Sequence, residues 1–296
     1  MQSAVEVEGL TKSYGSFTAV DHVSFQMEAD KIYGLLGRNG AGKTTIMHML
    51  TAQLFPTSGK LKVFGEAPYE NNRVLSQTCF IKESQKYPDN FRLADVMEMA
   101  ESFFPNWDRA YAQSLIADFG LPPRRRMKKL SRGMLSAAGI IVGLASRAPL
   151  TIFDEPYLGL DAVARNLFYD RLIEDYGSHP RTIVLSTHLI DEVSQILEHV
   201  MLIDKGRLIL NENADVLRGR AFTVAGTTSA VEAFTARKKV VHRAPFGALT
   251  SATVTGSLTP AEQKQANALG LELAPVSLQQ LVVHLTNQHG QEEETL

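Results

Sequence analysis

The sequence predicts an α/β fold: a mostly parallel sheet covered by helices on both faces, with a small antiparallel β subdomain and a helical subdomain, followed by a small C-terminal α/β appendage. Three observations predict it. Strand-like and helix-like segments alternate as far as about residue 218. A glycine-rich turn, Gly37 to Thr44, lies between a short apolar strand and a helical stretch. A second apolar strand, Leu150 to Phe153, runs straight into Asp154 and Glu155. Parallel strands need long crossovers, and helices of this spacing supply them.

Taken in order, Val5 and Val7, then Val20, Val23 and Phe25, alternate as strands do. Lys31 to Leu36 reads as a strand, and Thr44 to Leu54 as a helix that Pro56, Ser58 and Gly59 break. Leu61 to Phe64 is a further strand. From about Ala67 to Lys129 the pattern turns helical and more polar, with Leu93, Val96, Met97 and Ala100 at helical spacing. Ser136 to Ala145 predicts a helix, Leu150 to Phe153 a buried strand, Ala162 to Tyr176 a helix, Thr182 to Ser186 a strand and Leu189 to Leu197 a helix. Val200 to Ile203 and Arg207 to Leu210 flank Lys205-Gly206 as a hairpin would. Beyond Gly219 the texture changes. Phe222 to Val224 and Ala252 to Val254 look like strands, Pro260 to Leu269 like a helix, and the tail with Glu292, Glu293 and Glu294 like a disordered end. The expected domains are 1–218, with a helical subdomain at about 67–145, and 219–296.

The 296 residues, 44% hydrophobic, suffice for a large core and a small second domain. A net charge of −2 offers no general attraction to nucleic acid, and no nucleic-acid partner is expected. The single cysteine, Cys79, excludes an internal disulfide and suits a reducing compartment. The N-terminus lacks the basic and apolar segments of a secretory signal. The longest apolar run, Ala137 to Ala145, is too short to span a bilayer and predicts a buried helix. Any membrane process must therefore use another chain for the membrane part.

Two segments carry chemistry. Gly37, Arg38, Asn39, Gly40, Ala41, Gly42, Lys43 and Thr44, followed by Thr45, fit G-x-x-x-x-G-K-[ST] between strand and helix. Glycines let the backbone curl so that several N–H groups converge on one anion, and the helix start adds its positive dipole end. Lys43 then supplies a cation for phosphate oxygens, and the Thr44 hydroxyl a ligand for Mg²⁺. Asp154 and Glu155 place two carboxylates side by side at a buried strand end, where they repel unless a cation shares the site. A metal beside Asp154 resolves that repulsion, and Glu155 is then free to act as general base on a water.

With these residues in view the chain resembles an ABC transporter ATP-binding domain over about residues 3 to 218. Gly37 to Thr44, Leu130-Ser131-Arg132-Gly133-Met134, Ile152 to Pro156, Gly159-Leu160-Asp161 and Ser186-Thr187-His188 follow the family's order. Arg132 and Met134 depart from its LSGGQ pattern; Ser131 and Gly133 keep it. The resemblance implies ATP and Mg²⁺ as ligands. It implies Tyr14 as the aromatic on adenine, Asp154 as the metal-side acid, Glu155 as catalytic base and His188 as the switch histidine at the γ-phosphate. Ser131 and Gly133 would meet the γ-phosphate of a partner's ATP, and Asp161 would lie at the dimer interface. Where the family has glutamine after a strand, this chain has Glu83, with Gln85 two residues on. Glu83 is the residue that fills the expected place, as a metal-side and catalytic group, although it adds negative charge there.

The resemblance further implies a head-to-tail dimer of ATPase subunits, a separate transmembrane permease, and a cytoplasmic location on the inner face of the membrane. The pattern is most similar to exporters of the ABC-2 kind. The competing expectation is a non-transport ATPase of the same family acting on ribosomes or nucleic acid. A duplicated chain with a charged linker, or a long coiled-coil insertion, would favour that alternative, and neither is present in this sequence. The basic run Arg124, Arg125, Arg126, Lys128 and Lys129 reads as a solvated loop, and the aromatic cluster Phe103, Phe104 and Trp107 as packing within the helical insert.

Overall fold

A computed structural model describes residues 3–83, 85–219 and 221–283, and these separate into two compact units. The first comprises the residues up to His188 together with Ile196–Asn211; the second comprises Leu189–Gln195 together with the residues from Glu212 onward. The acidic tail with Glu292, Glu293 and Glu294 lies outside the described residues.

The first unit opens with β1 (Ser3–Tyr14), β2 (Phe17–Glu28) and β3 (Ile32–Leu36), then α1 (Lys43–Leu50) and β4 (Ser58–Val63). A short α2 (Asn72–Leu75) and β5 (Thr78–Ile81) lead into the helices α3 (Leu93–Phe103), α4 (Arg109–Asp118) and α5 (Arg132–Ala145). Next come β6 (Leu150–Asp154), α6 (Ala162–Ser178) and β7 (Thr182–Thr187). After α7 (Ile190–Val193), which belongs to the second unit, β8 (His199–Asp204) and β9 (Arg207–Asn213) follow. The helix expected over Leu189 to Leu197 is thus a single turn, and α1 ends at Leu50 rather than Leu54.

The strands of this unit sort into two sheets. One is antiparallel, in the order β2-β1-β4. The other has the order β5-β6-β7-β3-β8-β9, with β5, β6, β7, β3 and β8 running parallel. Every residue of β3, β6 and β7 is buried. That explains their unbroken apolar runs: a parallel strand covered on both faces has no polar side to alternate with. At the β8–β9 hairpin Lys205 has φ 45° and Gly206 φ 80°, the double positive φ that matches the twist of adjoining strands.

Helix α5 begins earlier than the periodicity predicts, at the Ser131 cap, where the hydroxyl accepts from the Met134 N–H at 3.3 Å. Its apolar run Ala137 to Ala145 is buried throughout, as expected of a core helix too short to span a membrane. Among the described residues no helix is long and apolar enough to cross a bilayer. Cys79 is buried in β5, and burial pushes its thiol up to about 12.

The second unit is built from α7, α8 (Ala214–Arg218), β10 (Ala221–Thr227), α9 (Thr228–Thr235), β11 (Val240–Phe246), β12 (Leu249–Thr255), α10 (Pro260–Ala268) and β13 (Glu272–Pro275). From β10 on, the chain runs β-α-β-β-α-β, with the antiparallel sheet ordered β11-β12-β10-β13. That is the split β-α-β arrangement. Its core joins Phe222, Val224, Ala252 and Val254 on the sheet to Val231, Phe234 and Ala266 on the helices. Within the same unit Arg218 donates to the Ser194 carbonyl, and the Gln279 N–H reaches Asp191 Oδ1 at 3.4 Å.

Candidate active site

Parallel strands place their carboxyl ends at one edge of the sheet, and the loops that follow them meet there. The loop after β3, Gly37 to Gly42, curls back on itself. The Ala41 N–H donates to the Arg38 carbonyl at 3.1 Å, and the Gly206 N–H to the Ala41 carbonyl at 2.9 Å. Gly40 and Gly42 take φ 81° and 110°, which a side chain would resist. Lys43, the first residue of α1, turns its ammonium onto the loop and donates to the carbonyls of Gly37 at 2.7 Å and Arg38 at 3.2 Å. Burial holds that ammonium below its ordinary value, and the Glu155 and Asp154 carboxylates pull it partly back up.

The loop after β6 supplies the carboxylates. Asp154 Oδ2 accepts from the Thr44 hydroxyl at 2.8 Å, which joins the two segments that the sequence singled out. Glu155 is buried and takes a left-handed backbone, φ 49°. A non-glycine residue there is strained and needs its neighbours to hold it. They do: its N–H donates to the Ser186 carbonyl at 3.1 Å, and its carbonyl accepts from Leu158 at 3.2 Å.

His188 follows β7, and its Nδ1 lies 2.7 Å from Glu155 Oε2. The same carboxylate oxygen receives the hydroxyl of Tyr157. Glu155 Oε1 is buried without a hydrogen-bond partner among the described residues.

Lys43, Thr44, Asp154, Glu155 and His188 wall one cavity of about 560 Å³, together with Tyr14, Asn39, Gly40, Ala41, Gly42, Thr45 and Glu83. Gly37 and Arg38 lie behind it as acceptors for Lys43. Tyr14, at the end of β1, is 51% exposed at the rim, with the Lys12 ammonium 5.2 Å from its ring centre. Phe17, its cross-strand partner, shares the wall and is 62% exposed. Neither Phe17 nor Tyr157 belongs to a motif visible in the sequence. Phe17 stands directly across the Gly15-Ser16 turn from Tyr14, which was the available signal.

Three residues from the sequence lie elsewhere. Ser131 and Gly133 form the start of α5, and Asp161 caps α6 by accepting from the Ala164 N–H at 2.8 Å. None of them lines the cavity. Helix α5 meets the turn that precedes Asp161, where Ser136 donates to the Leu158 carbonyl at 2.6 Å. Glu83 sits between the two regions: it is in the cavity wall and also 3.2 Å from Arg132 Nη2. Gln85 lines a neighbouring depression, not this cavity.

Comparison with known proteins agrees with this geometry. The ABC transporter family model matches residues 20–158. The bacitracin transport ATP-binding protein BcrA of Enterococcus faecalis is 32% identical over 231 residues, covering 75% of this chain and 74% of that protein. The lantibiotic transport ATP-binding protein SrtF of Streptococcus pyogenes is 30% identical, covering 71% of this chain and 91% of that protein. The daunorubicin/doxorubicin resistance ATP-binding protein DrrA of Streptomyces peucetius is 33% identical, covering 70% of this chain and 64% of that protein. Among solved structures, the ATP-binding subunit of an ABC transporter superposes with a TM-score of 0.66 at 23% identity, over 73% of this chain and 92% of that one, which speaks to the fold. The chain belongs to the ABC transporter family as an ATP-binding subunit, and it is an ATPase.

Proposed function

We propose that this subunit powers export through a separate transmembrane permease, and that it works as a head-to-tail pair closed around two ATP molecules. One observation carries the reading. Lys43, Thr44, Asp154, Glu155 and His188 wall a single cavity, whereas Ser131 and Gly133 of the same chain lie outside it. A second copy is the natural source of that missing wall. The names of the similar proteins, for bacitracin and lantibiotic transport and for daunorubicin resistance, support export. Among the described residues no helix is long and apolar enough to cross a bilayer, and the similar proteins are named as ATP-binding subunits for transport; both fit a separate permease with this subunit against the membrane's inner face.

The residues suit their roles. Tyr14 and Phe17 offer rings for the adenine at the rim. The loop N–H groups and Lys43 hold the phosphates. Thr44 and Asp154, whose oxygens lie 2.8 Å apart, are hard oxygen donors of the type magnesium takes and would hold it together with phosphate oxygens. No cluster of three or more His, Cys, Asp or Glu among the described residues would hold an ion alone, and magnesium shared with phosphate oxygens needs none. When bound, Mg²⁺ would neutralise charge on the terminal phosphates. Glu155 orients and deprotonates the attacking water, and His188 faces the γ-phosphate. Glu83 reaches the metal side of the cavity, and Asp161 meets the partner copy.

The test uses the purified subunit with ATP and Mg²⁺. Glu155→Gln is expected to bind ATP, lose turnover and accumulate as a dimer on size-exclusion chromatography. Normal hydrolysis by that variant excludes Glu155 as the base. Lys43→Ala is expected to lose nucleotide binding. Isolation of the native complex should recover an integral membrane protein; recovery with ribosomes instead would overturn the transport reading.

A further inference from the structure

The hydroxyl of Tyr157 stands at a convergence of groups that packing alone does not require. It donates to Glu155 Oε2. Its oxygen lies 2.7 Å from Thr187 Oγ1 and accepts from the His188 N–H at 3.2 Å. His188 Nδ1 is 3.4 Å away, and the two rings meet edge to face with centroids 5.9 Å apart. The residue is buried, 3% exposed. A phenol has one proton to donate and lone pairs to accept, so this set of partners satisfies it completely.

The chain brings Tyr157 there by a local device. Glu155 takes its left-handed backbone, and the following turn closes through the Leu158 N–H to the Glu155 carbonyl at 3.2 Å. The side chain two residues after the carboxylate thereby folds back over it. Burial, and then the Glu155 carboxylate itself, push the Tyr157 hydroxyl well above the usual tyrosine range, so it stays a donor at any working pH.

The consequence falls on the two oxygens of Glu155. Oε2 is held by Tyr157 and His188, while Oε1 is buried with no hydrogen-bond partner among the described residues. A carboxylate that can rotate presents either oxygen; one tied at Oε2 to two partners keeps a single orientation. We propose that Tyr157 is a positioning residue for ATP hydrolysis, its hydroxyl clamping Glu155 Oε2 and tying it to His188 so that the carboxylate is held in one orientation at the site of the attacking water. The assignment rests on Glu155 being the base. Catalytic groups perform when neighbours lock their orientation, and small displacements are costly.

The test compares full-length Tyr157→Phe, Glu155→Gln and the double variant for ATP affinity, KM and kcat. Phenylalanine keeps the ring against His188 and removes only the hydroxyl. Tyr157→Phe is expected to lower kcat by roughly 10- to 100-fold with ATP affinity and KM little changed. In the Glu155→Gln background the same change is expected to cost nothing more, because Tyr157 acts through Glu155. If Tyr157→Phe matches wild-type kcat while Glu155→Gln is inactive, the clamp is wrong and the base assignment stands. If Glu155→Gln remains active, the base assignment itself has failed. Independent, multiplying losses in the double variant would also overturn the clamp. Should Tyr157→Phe fold poorly, Thr187→Val opens the hydroxyl's bridge from its other end and is expected to lower kcat in the same direction, KM again unchanged; an unchanged kcat overturns the proposal.

Discussion

Arg132 Nη2 lies 3.2 Å from Glu83 Oε1, so two positions at which this chain departs from the ABC pattern face each other. An acid where the family has glutamine adds a negative charge beside a triphosphate site. An arginine where the family has glycine supplies the cation that answers it. Both side chains are substantially exposed, 68% for Arg132 and 45% for Glu83, so the pair is a weak one, about 0.2–1 kcal/mol. Weakness suits a contact between the wall of the cavity and the start of α5, because it can open without a large cost.

Compensation of this kind has a testable signature. Arg132→Ala alone leaves Glu83 unbalanced and is expected to lower ATPase activity several-fold. Adding Glu83→Gln removes the carboxylate and is expected to recover part of the loss. Steady-state ATPase assays on the two single variants and the double decide it. A double variant no more active than Arg132→Ala shows that the charges do not compensate.

Gly133 has no room for a side chain. A Cβ there would stand 2.5 Å from the Gly159 carbonyl oxygen, a backbone atom that cannot step aside cheaply. Gly133→Ala should push the 158–160 turn away from the start of α5 and disturb Asp161 behind it. The expected result is a fall in ATPase rate of about tenfold or more, with ATP binding by the isolated subunit unchanged. Fluorescent-nucleotide binding and turnover measured together would show the split; a normal rate would mean the turn yields without consequence.

Asp175 is a stability hub. Its two oxygens receive Arg181 at 2.7 Å and Arg147 at 3.1 Å, and Arg147 also reaches Asp108 at 2.8 Å. The Asp175 and Arg181 side chains are only 2% and 4% exposed. Replacing one member strands the other charge in the interior, which costs about 3–5 kcal/mol. Asp175→Ala is therefore expected to lower the melting temperature of the first unit by roughly 10 °C. Calorimetry on the full chain checks this; a shift of under two or so degrees would mean that water replaces the carboxylate.

In the second unit Lys238 beside Glu262, then the Thr259 N–H and hydroxyl, hold that carboxyl down at about 2. A carboxyl lowered on folding stabilises above its unfolded value, near 4.5, and loses that contribution as pH falls toward about 2. Glu262 is partly exposed, so the gain is modest, about 0.5 kcal/mol. Wild type should exceed Glu262→Gln in denaturant stability at pH 6, and the two should converge near pH 2. A difference that persists unchanged in acid would place its origin elsewhere.

Several features were legible because their physics is local. The turn from Gly37 to Thr44, the strand ending in Asp154 and Glu155, and the apolar run of α5 each declare themselves by residue type and spacing, and each lies where that pattern implies. Strands β11 and β13 did not. The first is an edge strand in which His242 to Phe246 are all exposed, charge and proline included, and the second is four residues long. An edge strand has one unpaired flank that tolerates charge and proline, so no alternation marks it.

The division has a physical basis. Backbone conformation and burial depend on neighbours a few residues away, and those a linear pattern can show. Which side chains share an atom depends on strands brought together from distant positions: Thr44 reaches Asp154 across 110 residues, and Glu83 meets Arg132 across 49. Tyr157 lies two residues from Glu155, yet the partners of its hydroxyl appear only once β7 and the residue after it bring Thr187 and His188 alongside.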